Sequence, residues 1–243
     1  MAKFLRVTGN QGDIVSAPAP RVRPVTRTSL ADTAYEAILD AILSGRIPAG
    51  EEVSEVSLAA DLGISRTPVA HAVQRLAAVG LIDRPAGKQP RVARFDREEV
   101  RELYEMRELL ESEAAARAAT RLVPEQLEAL VADAEKLAAA TRSPSWAEKA
   151  IAFDIRFHDE LAAACGNSRL CDQIRQYRLL VRAFCRSTGR KENLADALEE
   201  HRHILAALTA RNPAAARTAM ANHIATRKRV VLAELYPAPE AHS

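Results

Sequence analysis

Asp154 and His158 stand four residues apart in Phe153-Asp154-Ile155-Arg156-Phe157-His158. On a helix that spacing projects both side chains from one face, about a turn apart. Ala147, Ala150, Ile151, Phe157, Leu161 and Cys165 share the face, so it is expected to point inward. A carboxylate and an imidazole in an apolar stripe cost free energy unless a partner or a task compensates them. His201 lies on the stripe Leu194, Leu198, Leu205, Leu208, and His223 shares a face with Ala216, Met220, Ile224 and Val231. His203 falls on the opposite, solvated side, among Glu199 and Glu200. Asp154, His158, His201 and His223 are therefore predicted to face one interior from three helices. Three imidazoles and a carboxylate are a donor set for a divalent metal ion, zinc first, with nickel or manganese as alternatives. A plainer reading stands beside each residue: an inward histidine can be a hydrogen-bonded core residue, and an inward aspartate can cap a helix or pair with an arginine.

Two arginines carry related chemistry. Arg107 falls on an inward face with Val100, Leu103, Glu111 and Ala114. It can form a buried ion pair with Glu111 or serve as a bidentate partner for the carboxylate of a small effector. Arg178, on a stripe with Leu170, Ile174, Tyr177 and Val181, is a second candidate for that ligand. The default for a long cation on such a stripe is to snorkel to solvent.

A different chemistry is legible upstream. In a helix over 68–80, Val69, Ala72, Val73, Leu76 and Gly80 line one face, and His71, Gln74, Arg75 and Ala78 the other. A recognition helix needs this division, with one face in the core and the other in the major groove, N-terminus first. Arg66 and Thr67 sit at that N-terminus, where an arginine can reach a phosphate or guanine O6 and N7. Thr67 reads as the N-cap and Pro68 as the first helical residue. A helical hairpin with no DNA role shares the same pattern.

The elements that must position these groups are mostly helical. Of 243 residues, 48% are apolar but only 4% aromatic, so a core must be built of Ala, Leu, Val and Ile, with few Gly. Periodicity and punctuation predict a helix from Leu30 to the glycine at 45, a turn at Ile47-Pro48-Ala49-Gly50, a short helix over 56–62 ending at Gly63, and the 68–80 helix. Extended stretches Leu81–Arg84 and Arg91–Phe95 then flank a Pro-Ala-Gly-Lys-Gln-Pro turn. Two helices followed by a β-hairpin make a winged helix-turn-helix over 29–95. Six helices follow, at about 97–121, 124–140, 145–165, 168–187, 194–211 and 213–235, with breaks at Pro124, Ser143-Pro144, Gly166-Asn167, Ser187–Gly189 and Asn212-Pro213. Their short connections imply an antiparallel all-α bundle over 96–236. The Pro- and Arg-bearing residues 1–28 read as a disordered tail, and 237–243 as a second tail.

Charge and cysteine content restrict the partners and the compartment. Residues 1–94 hold 12 Lys/Arg against 9 Asp/Glu, and the rest hold 22 against 23, a weak basic bias in the DNA-reading half. Cys165, Cys171 and Cys185 lack the paired spacing of a zinc finger or redox motif and read as small buried hydrophobes. No apolar run suits a signal peptide or a membrane span, so a cytoplasmic protein without membrane contact is expected.

Ile64-Ser65-Arg66-Thr67-Pro68-Val69 with Leu76-Ala77-Ala78-Val79-Gly80-Leu81-Ile82, preceded by Ile47-Pro48-Ala49-Gly50 and Leu58-Ala59-Ala60-Asp61-Leu62-Gly63, resembles the GntR family of bacterial regulators over 29–95. The resemblance implies DNA contacts from Arg66 and Thr67, and a wing tip at Gly87 and Lys88. The chain departs from the family at Ala70-His71-Ala72, where Arg-Glu-Ala is usual. Ala70 cannot make the base contact assigned to arginine, so either the operator differs from the family's common sequence or His71 and Gln74 take part of the readout. Glu102-Leu103-Tyr104-Glu105-Met106-Arg107 with Leu110-Glu111, Phe153 to His158, Glu200-His201-Arg202-His203-Ile204 and Asn222-His223-Ile224 resemble the FCD effector domain of FadR-type members over about 96–235, in its shorter, VanR-like form. That resemblance implies a metal held by Asp154, His158, His201 and His223, and an organic acid as effector. The whole then reads as a ligand-responsive homodimer on a pseudo-palindromic, double-stranded operator. Its rivals are a metal-dependent enzyme, for which no general base stands out beside the four ligands, and a bundle closed by a purely structural metal.

Overall fold

The computed structural model describes residues 29–140, 145–184 and 191–237. The expected tail at 1–28, all but the first residue of the tail at 237–243, the breaks at Ser143-Pro144 and Ser187–Gly189, and Cys185 lie outside the described residues. Among the described residues the order is α1 (Leu30–Leu43), α2 (Glu55–Leu62), α3 (Arg66–Ala78), β1 (Ile82–Asp83) and β2 (Arg91–Val92). It continues with α4 (Arg97–Arg121), α5 (Pro124–Ala139), α6 (Trp146–Ala164), α7 (Ser168–Phe184), α8 (Lys191–Thr209) and α9 (Pro213–Leu235). This is the expected mainly-α architecture, a winged helix-turn-helix followed by six helices. None of these helices is long and apolar enough to cross a membrane.

The helix starts follow from side chains that satisfy the first free N–H groups. Ser29 with Asp32 and Asp96 with Glu99 form reciprocal capping boxes at α1 and α4. Asn212 accepts from Ala215 N, and Pro213 and Pro124 open α9 and α5 without losing a needed donor. At α3 the expectation is corrected. The helix begins at Arg66 with Ser65 in the cap position, so Thr67 lies inside the first turn and Pro68 is the third helical residue. Proline is tolerated there because the first turn's N–H groups have no intrahelical acceptor. The helix ends at Ala78, and Gly80, at φ +83°, lets the chain turn into the wing.

The wing strands are two residues each, shorter than expected, paired antiparallel with Ile82 opposite Val92 and Asp83 opposite Arg91. The missing length is supplied by the segment after α1. Gly50 N donates to Val92 O, Val53 N to Pro90 O, and Val92 N to Glu51 O, so this segment covers the far edge of β2. Glycine suits position 50 at that edge because its φ is +82°, a left-handed conformation that side chains disfavour.

Two cores result. Ala34, Ile38, Ile42, Val53, Val69, Ala72, Val73, Leu76, Leu81, Ile82 and Val92 fill the head. The larger core fills the bundle around α4 and α9, which run antiparallel, as the pairings Glu113–Arg217, Glu105–Lys228 and Phe95–Tyr236 require. Ala114, Ala115, Ala116, Ala118 and Ala119 of α4 are buried, and side chains this small allow close helix approach. The cores are not separate: Leu180 of α7 is buried in the head's core, with Leu103, Leu179 and Ala183 packed against it.

Candidate metal centre and nucleic-acid interface

Seven polar or charged side chains are buried among the described residues, and six of them meet in one place: Arg107, Glu111, His158, Arg178, His201 and His223. Burial of such groups is costly unless they compensate one another, and here they do. Ligand atoms of Asp154, His158, His201 and His223 all lie within 4.8 Å of one another. His201 Nε2 is 3.2 Å from His158 Nε2, and Asp154 Oδ1 is 3.7 Å from His158 Nε2 and 3.6 Å from His201 Nε2. Donors about 2.0–2.2 Å from one ion stand roughly 3–4 Å apart, so the set fits a divalent ion with small adjustments. The four residues predicted to converge do converge. Asp154 differs from the histidines in exposure: they are 1–2% exposed, whereas its side chain is 36% exposed and faces a cavity.

The outward nitrogens of two histidines face carboxylates. His223 Nδ1 donates to Glu200 Oε2 at 2.7 Å, which directs Nε2 to the centre. Glu111 Oε2 lies 2.5 Å from His158 Nδ1, although the two are not aligned as a hydrogen bond. Glu200 is a correction. It does not share the solvated side with His203 but stands half-buried between His223 and Arg227, whose guanidinium donates to Glu200 Oε1 at 2.9 Å. Its place on the helix, next to His201 and one residue off the inward stripe, could not reveal this role. His203 itself is exposed as expected.

Both arginines turn to the centre. Arg107 Nε donates to Glu111 Oε1 at 2.7 Å, the ion pair foreseen for it, with its guanidinium over the Tyr104 ring. Arg178 does not snorkel. It is buried, donates to Asp154 Oδ2 at 2.9 Å, and reaches the Asp154 carbonyl oxygen at 3.3 Å. An anionic partner within reach outweighs the hydration that snorkelling would preserve. Ile151, expected inward, is 44% exposed and lines the mouth of the cavity that Asp154 faces.

The electrostatics suit a set of ligands. Burial works against the charge on Asp154, but Arg178 and the three neighbouring histidines together outweigh it and hold the carboxyl below its ordinary range. Burial pushes His158 well below the usual imidazole value and His201 and His223 down to about 3. All three are therefore neutral at physiological pH, the form in which imidazole binds metal. A pH dependence follows for the metal-free protein. Unfolded imidazoles take up a proton near 6.5 while folded His201 and His223 resist until about 3. The unfolded chain thus binds more protons in that window. Stability is full above pH 6.5 and falls as the pH drops, by up to about 1.4 kcal/mol per pH unit for each histidine. Thermal melts of chelator-treated protein at pH 7.5, 6 and 5 check this, and a flat profile would contradict it.

The head has its own constellation. Val69, Ala72, Val73 and Leu76 are buried while Arg66, Thr67, His71 and Gln74 are exposed, and Ala70 is half-buried. Gly87, at φ +70°, and Lys88 form the exposed wing tip. Glu55 in the first turn of α2 organises this surface: Arg66 donates to it at 3.2 Å, and Arg84 of the wing lies 3.7 Å from it. Arg75 is drawn to α1 instead, paired with Asp32 at 2.6 Å and stacked over Tyr35.

Comparison with known proteins agrees with both halves. Residues 30–92 match the family model described as bacterial regulatory proteins, gntR family, and residues 102–226 match the FCD domain. The chain is 30% identical over 201 residues to a probable D-xylose utilization operon transcriptional repressor of Paenarthrobacter nicotinovorans, covering 83% of this chain and 88% of that one. It is 27% identical to the HTH-type transcriptional regulator LutR of Bacillus subtilis, over 75% of this chain and 92% of LutR. The fold is that of E. coli McbR/YncC, with a TM-score of 0.73 at 23% identity over 86% of this chain and 100% of that chain. These families and relatives are regulators rather than enzymes, which removes the metalloenzyme reading. The chain belongs to the GntR family and is a transcriptional regulator with a gntR-type DNA-binding head and an FCD effector domain.

Proposed function

We propose that this regulator holds one divalent ion on Asp154, His158, His201 and His223 and changes its operator affinity when a small carboxylate binds beside that ion. The observation that carries the reading is the convergence of six buried polar side chains beside a cavity of about 360 Å³, which Arg107, Arg178 and His223 of the six line together with Asp154. Its charges make the case for an acid. Arg107 and Arg178 balance Glu111 and Asp154, and the imidazoles are neutral, so an added divalent cation leaves the pocket with excess positive charge. An anion in the adjoining cavity relieves that excess. Zinc suits three imidazoles and a carboxylate best, with nickel and manganese next. When bound, the ion would supply a Lewis-acidic point of attachment for the acid, and the arginines would orient it by bidentate hydrogen bonds.

We assign direct readout to Arg66, Thr67, His71 and Gln74 on α3, and backbone or minor-groove contact to Gly87 and Lys88 at the wing tip. Two copies of the chain on a pseudo-palindromic operator would place their heads in successive major grooves, an assembly suited to the cytoplasm. Arg66→Ala is expected to cost about 1–3 kcal/mol of operator binding and to relax the sequence preference at the bases it reads. Lys88→Ala should weaken binding to all sequences alike and reduce the salt slope by about 1. Titrations on specific and scrambled duplexes at several salt concentrations separate the two roles. The whole reading is tested by native mass spectrometry before and after chelation, together with operator affinity across a panel of carboxylates. One ion per chain, a dimer and an acid-dependent change in affinity are expected. Affinity indifferent to both acid and chelation would overturn the sensor.

A further inference from the structure

The cavity beside the centre is not walled by the FCD domain alone. Leu43, the last residue of α1 in the DNA-reading head, stands in the same wall as Arg107, Asp154 and Arg178. Its neighbour Ile42 lines a different space, a cleft of about 560 Å³ between the head and the end of α9, bounded there by Leu235 and Tyr236. The final turn of α1 is thus a partition between two hollows. One is polar at its base, and the other is an apolar gap between head and sensor into which the partition can move.

A second element reaches the same boundary. Arg178 binds Asp154 at the polar base, and two residues further along α7 Leu180 is buried in the head's core. Leu180 lies in the head's core, Leu179 and Ala183 pack against it, and α1 contacts α7, so the C-terminal end of α7 beyond Arg178 is the end that faces the head. The side chains at that outer level are mostly apolar: Ile151 stands one turn before Asp154 on α6, and Val230 and Val231 lie two turns past His223 on α9, although Arg182, one turn past Arg178 on α7, shares the wall. One helical turn is about 5.4 Å, so the cavity has a polar floor and a mainly apolar upper storey that ends on the head.

We infer that Leu43 is the residue through which the head reads the occupant, so that the switching effector is a carboxylate with an apolar body long enough to press on it. An acid that fills only the polar floor binds without moving the head. A longer one displaces the last turn of α1 toward the cleft. Ligand affinity and operator response are then separate properties, joined by length, because only an occupant with different contacts in the two head positions can shift their equilibrium. The inference rests on the proposed carboxylate site at Arg107 and Arg178.

The test uses the full chain loaded with zinc and straight-chain monocarboxylates from acetate to octanoate. Binding is followed by thermal shift, and operator affinity by fluorescence anisotropy. Short and long members are expected to raise the melting temperature, whereas only the longer ones change operator affinity, by about tenfold, within the usual range of allosteric coupling. Leu43→Ala should keep the thermal shift but lose the operator response to the shortest switching acid, and a longer acid should restore it. Leu43→Trp, which fills the upper storey from the head's side, should make a shorter acid effective. An acetate response equal to that of the longer acids would overturn the inference, as would Leu43→Ala and Leu43→Trp variants with the wild-type length dependence. Acids that bind and act regardless of length leave the carboxylate site intact and remove only the role of Leu43. The absence of any thermal shift would remove both.

Discussion

Replacing His201 by alanine is expected to reduce the metal content from one ion per chain to none, read by native mass spectrometry on protein purified without chelator. His201 is fully enclosed among the four candidate ligands. It is 1% exposed, with Nε2 3.2 Å from His158 Nε2 and its ring 4.4 Å from the Phe157 ring centroid. Loss of an outer partner alone typically lowers metal affinity 10–100-fold, and Glu200→Gln, which weakens the hold on His223 Nδ1, should fall in that range. Removal of a ligand costs more, because it takes away one of the four protein donors outright. Alanine also leaves a cavity in a packed core, which would destabilise the apo chain by about 2–4 kcal/mol. His201→Phe separates the effects. It restores volume against Phe153 and Phe157, supplies no donor, and removes one buried imidazole that must stay neutral. The phenylalanine variant should be metal-free yet at least as stable as chelator-treated wild type below pH 6. Full metal occupancy in either variant would refute the proposed centre.

Glu111→Ala should be the most destabilising single change at this site that spares the four ligands, at about 3–5 kcal/mol, because it strands buried cations. Glu111 is 2% exposed, accepts from Arg107 at 2.7 Å, lies 3.8 Å from Arg178 and stands against His158 Nδ1. Without it Arg107, 4% exposed, has no carboxylate within reach on its own helix, and neither arginine can release its proton to escape. At about 2–4 °C per kcal/mol for a chain of this size, the melting temperature should drop by roughly 10 °C. Acetate should restore part of the loss by supplying a carboxylate to the stranded arginines. Arg107→Met with Glu111→Leu should recover most of the stability, since an apolar pair can replace a buried ion pair at little cost, but should lose the operator response to carboxylates. A loss below 1 kcal/mol for Glu111→Ala would show that solvent, not Glu111, compensates Arg107.

These contacts mark the limit of what the one-dimensional pattern carries. Helical period placed Asp154 and His158 on one face and put His201 and His223 on apolar stripes, so all four candidate ligands were legible in the sequence. The same period divided α3 into a buried face and an exposed one. The Ser-Arg-Thr-Pro-Val stretch marked the reading end, although its cap fell at Ser65 rather than Thr67, because Pro68 is equally at home anywhere in a first turn. Periodicity says which face a residue occupies but not what stands opposite it. Whether Arg178 would reach solvent or Asp154 depended on how α7 crosses α6. Glu200 sits at the edge of its helix's inward stripe and became a histidine partner only because α9 brings His223 and Arg227 against it. Helical period gives Leu43 no special place, and the tertiary packing alone sets it in the wall of the cavity beside the four candidate ligands. The sequence by itself thus determined the elements, the exposed face of α3 and the four candidate ligands, because those depend on local spacing and side-chain type. Tertiary structure decided which charges compensate one another and that the head shares a wall with the sensor, because both depend on how separate helices cross.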